Sequence, residues 1–123
     1  MSLLLAINML DEKIILKKYD QACECPITAA VGIVGGKWKP VIIWVLMTGP
    51  KRFGELHKII SGIALKVLSR QLKELEADGI INRKVFAEVP PRVEYTLTEK
   101  GRSLQAIMDL LAEWGRENIV GAN

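Results

Sequence analysis

The spacing of apolar residues changes once along this chain, and that change constrains the fold more than any other feature. Residues 53–60 and 64–78 carry apolar side chains every three or four positions, as amphipathic helices do, and Ser61-Gly62 separates them. Residues 80–87 and 93–97 have strand character, and the second of these segments alternates apolar and polar residues. We therefore expect two helices joined by a tight turn and followed by a β-hairpin.

Two consecutive prolines, Pro90 and Pro91, lie between the two predicted strands. Proline has no backbone N–H to donate to a ladder, so this pair cannot lie within a central strand. A polyproline ligand is the poorer interpretation, because the pair lacks the PxxP spacing and strand residues flank it. We predict a hairpin tip that two fixed φ angles stiffen, with Arg92 directly after it.

Other helices complete the predicted order. The pattern predicts a helix over residues 3–18, two short apolar helices that begin near Pro26 and Pro40, and a last helix from 99 to about 117 that follows the N-cap Thr98. The whole is mainly α with a small β-hairpin (α+β), the order of a winged helix-turn-helix. We expect one domain over 1–123, made of an N-terminal helical arm (1–24), a helix-turn-helix and wing (51–98) and a C-terminal dimerisation helix (99–120).

Composition agrees with a single globular domain of 123 residues, since half the residues are hydrophobic and a quarter are charged. The net charge is +3, and residues 51–102 hold 11 of the 17 Lys and Arg but 7 of the 14 Asp and Glu. This basic excess is compatible with nucleic acid, although a solvated face would look the same. No apolar run approaches the roughly 20 residues that span a bilayer, and the N-terminus is a poor signal peptide. With two cysteines and no disulfide framework, we expect a cytoplasmic location and no membrane association.

The predicted helix 64–78 has two distinct faces. Its apolar stripe, which we expect to face the core, consists of Leu65, Leu68, Leu72 and Leu75. The exposed side carries Lys66, Ser69, Arg70 and Lys73. Long cations reach phosphates, and arginine can bind guanine O6 and N7 with two hydrogen bonds. Acidic residues follow in the C-terminal half of the helix, so we expect only its N-terminal half to enter a major groove.

Several motifs in this order resemble the HxlR-type winged-helix transcription regulators, relatives of the MarR group, over about residues 25–115. They are GGKW, RFGEL, LKELEADGIINR and VPPRVEYTLTEKG. The resemblance implies a homodimeric, sequence-specific regulator of transcription that binds a near-palindromic double-stranded DNA operator. It implies a recognition helix in the major groove and a wing, residues 84–95, on the backbone or in the minor groove. The DNA-binding residues carried over by position are Arg52, Lys66, Ser69, Arg70, Lys73 and Arg92.

Two positions depart from the family pattern. Members often have serine where this chain has Ala64 and Gly54. A hydroxyl at the start of a recognition helix can cap the helix and bind a phosphate, and alanine can do neither. Ser61 or Lys66 could substitute for it, or the operator could differ.

The two cysteines are candidate redox-sensing residues. Cys25 precedes Pro26 at a predicted helix N-terminus, where the partial positive charge favours thiolate, although Glu24 opposes it. Some relatives that resemble this chain use a cysteine here to sense oxidants or electrophiles, and the alternative is a reduced structural cysteine. Cys23 is the natural second thiol, but it is awkwardly placed for a disulfide with Cys25 and is better suited to a bond across a dimer.

No enzyme, metal site or cofactor is predicted. The residues assemble no nucleophile–base–acid set and no phosphate-binding glycine loop. Cys23 and Cys25, even with His57, match no standard zinc spacing. The alternative to DNA binding is a winged-helix module for protein–protein interaction without direct DNA contact. Any small-molecule effector remains unidentified by sequence.

Overall fold

A computed structural model describes residues 25–121 of the chain. The chain divides into two compact units between Gly35 and Gly36. The first contains helix α1 (Pro26–Val34). The second contains α2 (Lys39–Leu46), β1 (Lys51–Arg52), α3 (Phe53–Ile59), α4 (Leu65–Ala77), β2 (Ile81–Phe86), β3 (Arg92–Leu97), α5 (Glu99–Arg102) and α6 (Gln105–Asn118). The predicted helix 3–18, the arm 1–24 and Cys23 lie outside the described residues.

The core of the second unit is almost entirely aliphatic. Burying each large side chain contributes about 1.5–3 kcal/mol relative to leaving it in water, so this cluster supplies most of the packing energy. The side chains with essentially no exposure come from α2, α3, α4 and β2: Ile42, Ile43, Leu56, Leu68, Leu72, Leu75 and Ile81. Helices α3 and α4 are therefore fixed against the rest of the unit by their apolar faces, and their polar faces remain outside.

The apolar stripe of α4 differs at one position from the prediction. Leu68, Leu72 and Leu75 are buried, whereas Leu65 is 57% exposed. Leu65 is the first residue of the helix and follows the extended N-cap Ala64, so it projects beyond the end of the core. Helical periodicity places Leu65 on the side of the helix that faces the core, but it does not show at which residue the core ends.

The sheet has three antiparallel strands in the order β1-β3-β2, one more than the predicted hairpin. Strand β1 has only two residues, and they pair with Tyr95 and Glu94 of β3. A segment this short has no periodicity of its own and becomes a strand only because β3 lies beside it. The hairpin itself is confirmed, with Val85 opposite Val93 and Phe86 opposite Arg92.

Thr98 joins the end of the hairpin to the end of α4. Its hydroxyl oxygen accepts a hydrogen bond from the Gly101 N–H at 3.0 Å and lies 2.6 Å from the Gly79 carbonyl oxygen. This confirms Thr98 as the N-cap of the following helix. The single predicted helix from 99 is in fact two, α5 and α6, with a break at 103–104. A side chain at Gly101 would collide with the backbone of Ile80, so only glycine permits this close approach.

Candidate nucleic-acid interface

The four residues predicted on α4 come together on its solvent side. Lys66, Ser69, Arg70 and Lys73 line one shallow depression. The three cations are exposed and Ser69 is half-buried. A depression lined by three cations and a hydroxyl suits an anionic partner whose charges are spaced along a backbone.

The acidic half of α4 is partly neutralised from within. The Glu74 carboxylate lies 2.6 Å from Nζ of Lys39, a residue of α2 that is only 9% exposed. This ion pair and hydrogen bond hold the pKa of Glu74 below its ordinary value, and the charge of Arg70 lowers the pKa further. Glu74 is therefore an anchor between α4 and α2 and opposes an approaching phosphate less than its sequence position suggests.

The start of α4 exposes one apolar side chain beside the cations. Ala64, the N-cap, makes no side-chain capping hydrogen bond, and Leu65 beside it is 57% exposed. In helix-turn-helix docking the N-terminal residues of the second helix contact base edges. Leu65 was therefore missed as a candidate contact, because sequence periodicity placed it in the core.

Arg52 lies at the junction of β1 and α3, at the start of the first helix of the motif. Arg52 is exposed, and its backbone N–H donates a hydrogen bond to the Glu55 carboxylate at 2.8 Å. That hydrogen bond caps α3 and fixes the backbone at Arg52. The guanidinium is thus attached to an ordered backbone at the start of the helix-turn-helix.

Arg92 is placed differently from the other candidates. Its guanidinium lies 3.2 Å from the Glu88 carboxylate and 3.3 Å from the Glu94 carboxylate, and it stacks 4.0 Å from the centre of the Phe86 ring. The side chain is 27% exposed. Arg92 is therefore held by other residues of the wing, whereas the cations of α4 are exposed. Its three partners were missed, because the hairpin register that brings them together depends on the length of the connecting turn.

Cys25 is the N-cap of α1, directly before Pro26. The pKa of its thiol is lowered from the ordinary value, first by hydrogen bonding from the Thr28 side chain and then by the Thr28 and Ile27 backbone. Burial acts in the opposite direction and is outweighed. The residue is half-buried, so a lowered thiol pKa occurs together with partial access to solvent.

Within residues 25–121, no single helix is long and apolar enough to cross a membrane. The same part of the chain contains no group of three or more His, Cys, Asp or Glu side chains that could hold a metal ion.

Two helices joined by a tight turn, an exposed cationic face on the second and a β-hairpin after it define a winged helix-turn-helix DNA-binding protein. The profile of the HxlR-like helix-turn-helix family matches residues 33–122. The chain belongs to this family and is a transcriptional regulator of the helix-turn-helix type, as the sequence motifs predicted.

Similar proteins and solved structures agree with this family assignment. The chain is 50% identical over 103 residues to the uncharacterized HTH-type transcriptional regulator YtcD of Bacillus subtilis (strain 168), an alignment that covers 84% of this chain and 79% of that protein. It resembles the oxidised form of the redox regulator HypR with a TM-score of 0.74 and 46% identity, over 76% of this chain and 97% of that one. It resembles the reduced form of the B. subtilis regulator YodB with a TM-score of 0.70 and 42% identity, over 80% and 98% of the two chains.

Proposed function

We propose that this regulator binds double-stranded DNA in the cytoplasm by inserting the N-terminal half of α4 into the major groove, with the wing (84–95) on the backbone or in the minor groove. The observation that carries the proposal is the single depression lined by Lys66, Ser69, Arg70 and Lys73. Its three cations are exposed, so binding can neutralise phosphates without unpacking the core. The role is that of a binding protein without catalytic activity.

The contacts divide into two kinds. Lys66 and Lys73 flank Arg70 by about one turn on either side, and such flanking cations are suited to phosphates. Arg70 lies between them and is the candidate for reading a base, with Arg52 as a further backbone contact. The exposed Leu65 offers an apolar surface, for which the matching group in a major groove is the 5-methyl of thymine.

The working unit we propose is a homodimer. Ile107, Leu110, Leu111 and Trp114 line an apolar surface on α6, and each is more than half exposed. Trp44 and Val41 of α2 extend this surface towards Leu111. Contiguous apolar surface of this kind is typical of an interface, and a second copy would cover it. A two-fold axis there would present two α4 helices about 34 Å apart, one DNA turn, and would require a near-palindromic operator.

Cys25 gives the regulator a candidate redox switch. Its lowered thiol pKa and partial exposure are what a sensing thiol requires, and HypR is named a redox regulator. We propose that oxidation of Cys25, with Cys23 as the second candidate thiol, alters operator affinity.

Selection of bound fragments from a random DNA pool tests the proposal directly, run with and without a thiol oxidant. Recovery of a near-palindrome supports a DNA-binding dimer. Failure to enrich any sequence, together with binding that does not weaken with salt, would favour the protein–protein module instead. Sedimentation at micromolar concentration tests the dimer, and a monomer would contradict it. A Cys25→Ser protein that still responds to oxidant as the wild type does would eliminate Cys25 as the sensor.

A further inference from the structure

We propose that Arg92 positions the wing for DNA binding and is not itself a phosphate contact. Its guanidinium joins three parts of the hairpin: Phe86 at the end of β2, Glu88 in the connecting segment, and Glu94 in β3. We call these four residues the wing clamp. The inference rests on the proposed DNA-binding function and assigns Arg92 an indirect role in it.

The geometry of the wing clamp engages most of the guanidinium. One terminal nitrogen lies 3.2 Å from Glu88, the other 3.3 Å from Glu94, and the plane stacks on the Phe86 ring at 4.0 Å. Nε is buried, and within the described residues it has no hydrogen-bond partner. A side chain held at both terminal nitrogens and covered on a ring presents little of its charge to an incoming ligand.

The hairpin register explains why these residues meet. Phe86 and Arg92 are cross-strand partners, so their side chains leave the sheet on the same face. Glu94 is two residues further along β3 and therefore shares that face. Glu88 belongs to the connecting segment, and its ion pair attaches that segment to β3. Breaking the wing clamp would remove the ion pair that attaches the connecting segment to β3.

The electrostatics disfavour release of Arg92 to a phosphate. Arg92 lies between the two carboxylates of Glu88 and Glu94, so a phosphate that took Arg92 would have to break both ion pairs. Lys84 lies opposite Glu94 in the sheet and would offset only part of the negative charge left behind. The Glu94 side chain is only 22% exposed, which makes its loss of a partner more costly than at an open surface. These two ion pairs favour the closed wing clamp over release of Arg92 to a phosphate.

Replacing the carboxylates changes operator affinity in opposite directions, depending on whether they act only through their charge or hold the wing in position. Removing a negative charge near DNA should tighten binding if charge alone matters. If the wing clamp positions the wing, Glu94→Gln and Glu88→Gln should each weaken operator binding although each makes the wing more positive. Glu76→Gln on α4 is the control, because it removes a carboxylate outside the wing clamp and should tighten binding or leave it unchanged.

Arg92→Lys separates charge from geometry. Lysine keeps the charge but cannot bridge two carboxylates and stack on a ring as arginine does. We expect Arg92→Lys and Arg92→Gln to lose about the same operator affinity, around tenfold, or 1.4 kcal/mol. We expect neither to lower the salt dependence of binding as far as Lys73→Gln on α4, which serves as the reference for a lost phosphate contact.

The measurement is fluorescence anisotropy with the selected operator between 50 and 200 mM salt, on full-length protein whose melting temperature is recorded for each variant. The proposed role of the wing clamp would be overturned if Arg92→Lys kept the wild-type affinity, or if Glu88→Gln and Glu94→Gln both bound more tightly. Either result would leave the proposed DNA binding intact. Glu88→Gln at the exposed end keeps the test decisive should an Arg92 variant fail to fold. If the wild type binds no selected DNA, the proposed function fails, and the inference fails with it.

Discussion

The salt dependence of DNA binding is the quantity that the α4 geometry predicts best. In the proposed homodimer Lys66 and Lys73 each occur twice, so replacing one of them with glutamine removes two cations from the proposed DNA interface. Each phosphate contact contributes about 0.9 to the slope of log affinity against log salt, so either variant should lower the slope by about 1.8. Between 50 and 200 mM salt, the wild type would then lose about 12-fold more affinity than the variant.

The assay is anisotropy titration of a labelled operator at several salt concentrations. Arg116→Gln is the matched control, since it removes the same charge from an exposed position on α6, outside the helix-turn-helix. Its slope should equal that of the wild type. Slopes that stay at the wild-type value for both Lys66→Gln and Lys73→Gln would refute the placement of α4 against the phosphates.

Three further predictions concern the Lys39–Glu74 ion pair, the close packing at Gly101 and the exposed Leu65. Glu74→Gln should lower the melting temperature at pH 7, because the lowered pKa of Glu74 stabilises the fold above the ordinary carboxyl pKa. The difference from wild type should shrink as the pH falls through the folded-state pKa, and a difference that does not shrink with falling pH would contradict this prediction. Gly101→Ala should destabilise the fold by about 1–3 kcal/mol in denaturant titrations because its Cβ meets a backbone carbonyl, whereas Gly54→Ala, with open space around it in the described part of the chain, should be neutral or stabilising. Leu65→Ala should weaken operator binding, and replacing the contacted operator thymine with deoxyuridine should weaken binding of the wild type. The same base replacement should cause no further loss of affinity in the Leu65→Ala variant. Losses of affinity that add at every thymine would exclude a contact between Leu65 and a thymine methyl.

Helix α2 contacts both α4 and the apolar surface proposed for dimerisation. The Lys39–Glu74 ion pair connects α4 to α2, and Val41 and Trp44 of α2 lie on the apolar surface proposed for dimerisation. The recognition helix and the proposed interface therefore share one supporting helix.

Most of the helices, the hairpin and the character of their exposed faces follow from local sequence patterns. Helical spacing defined α4 and its cationic face, Gly79 at φ +76° ends that segment, and Thr98 caps the helix that follows the hairpin. These features are local, because each depends on residues within a few positions of one another. For the same reason the family motifs were recognisable, and the profile match over residues 33–122 confirmed them.

Which of these side chains is available to a partner depends on contacts that form only in the folded chain. Leu65 is exposed because the core ends before it, and β1 is a strand only because β3 lies beside it. Arg92 looked like a cation presented by a rigid tip, but the register of β2 and β3 places it on Phe86 between two carboxylates. Register and core boundaries depend on contacts between residues distant in sequence, so periodicity can identify a face of an element but not what will cover that face.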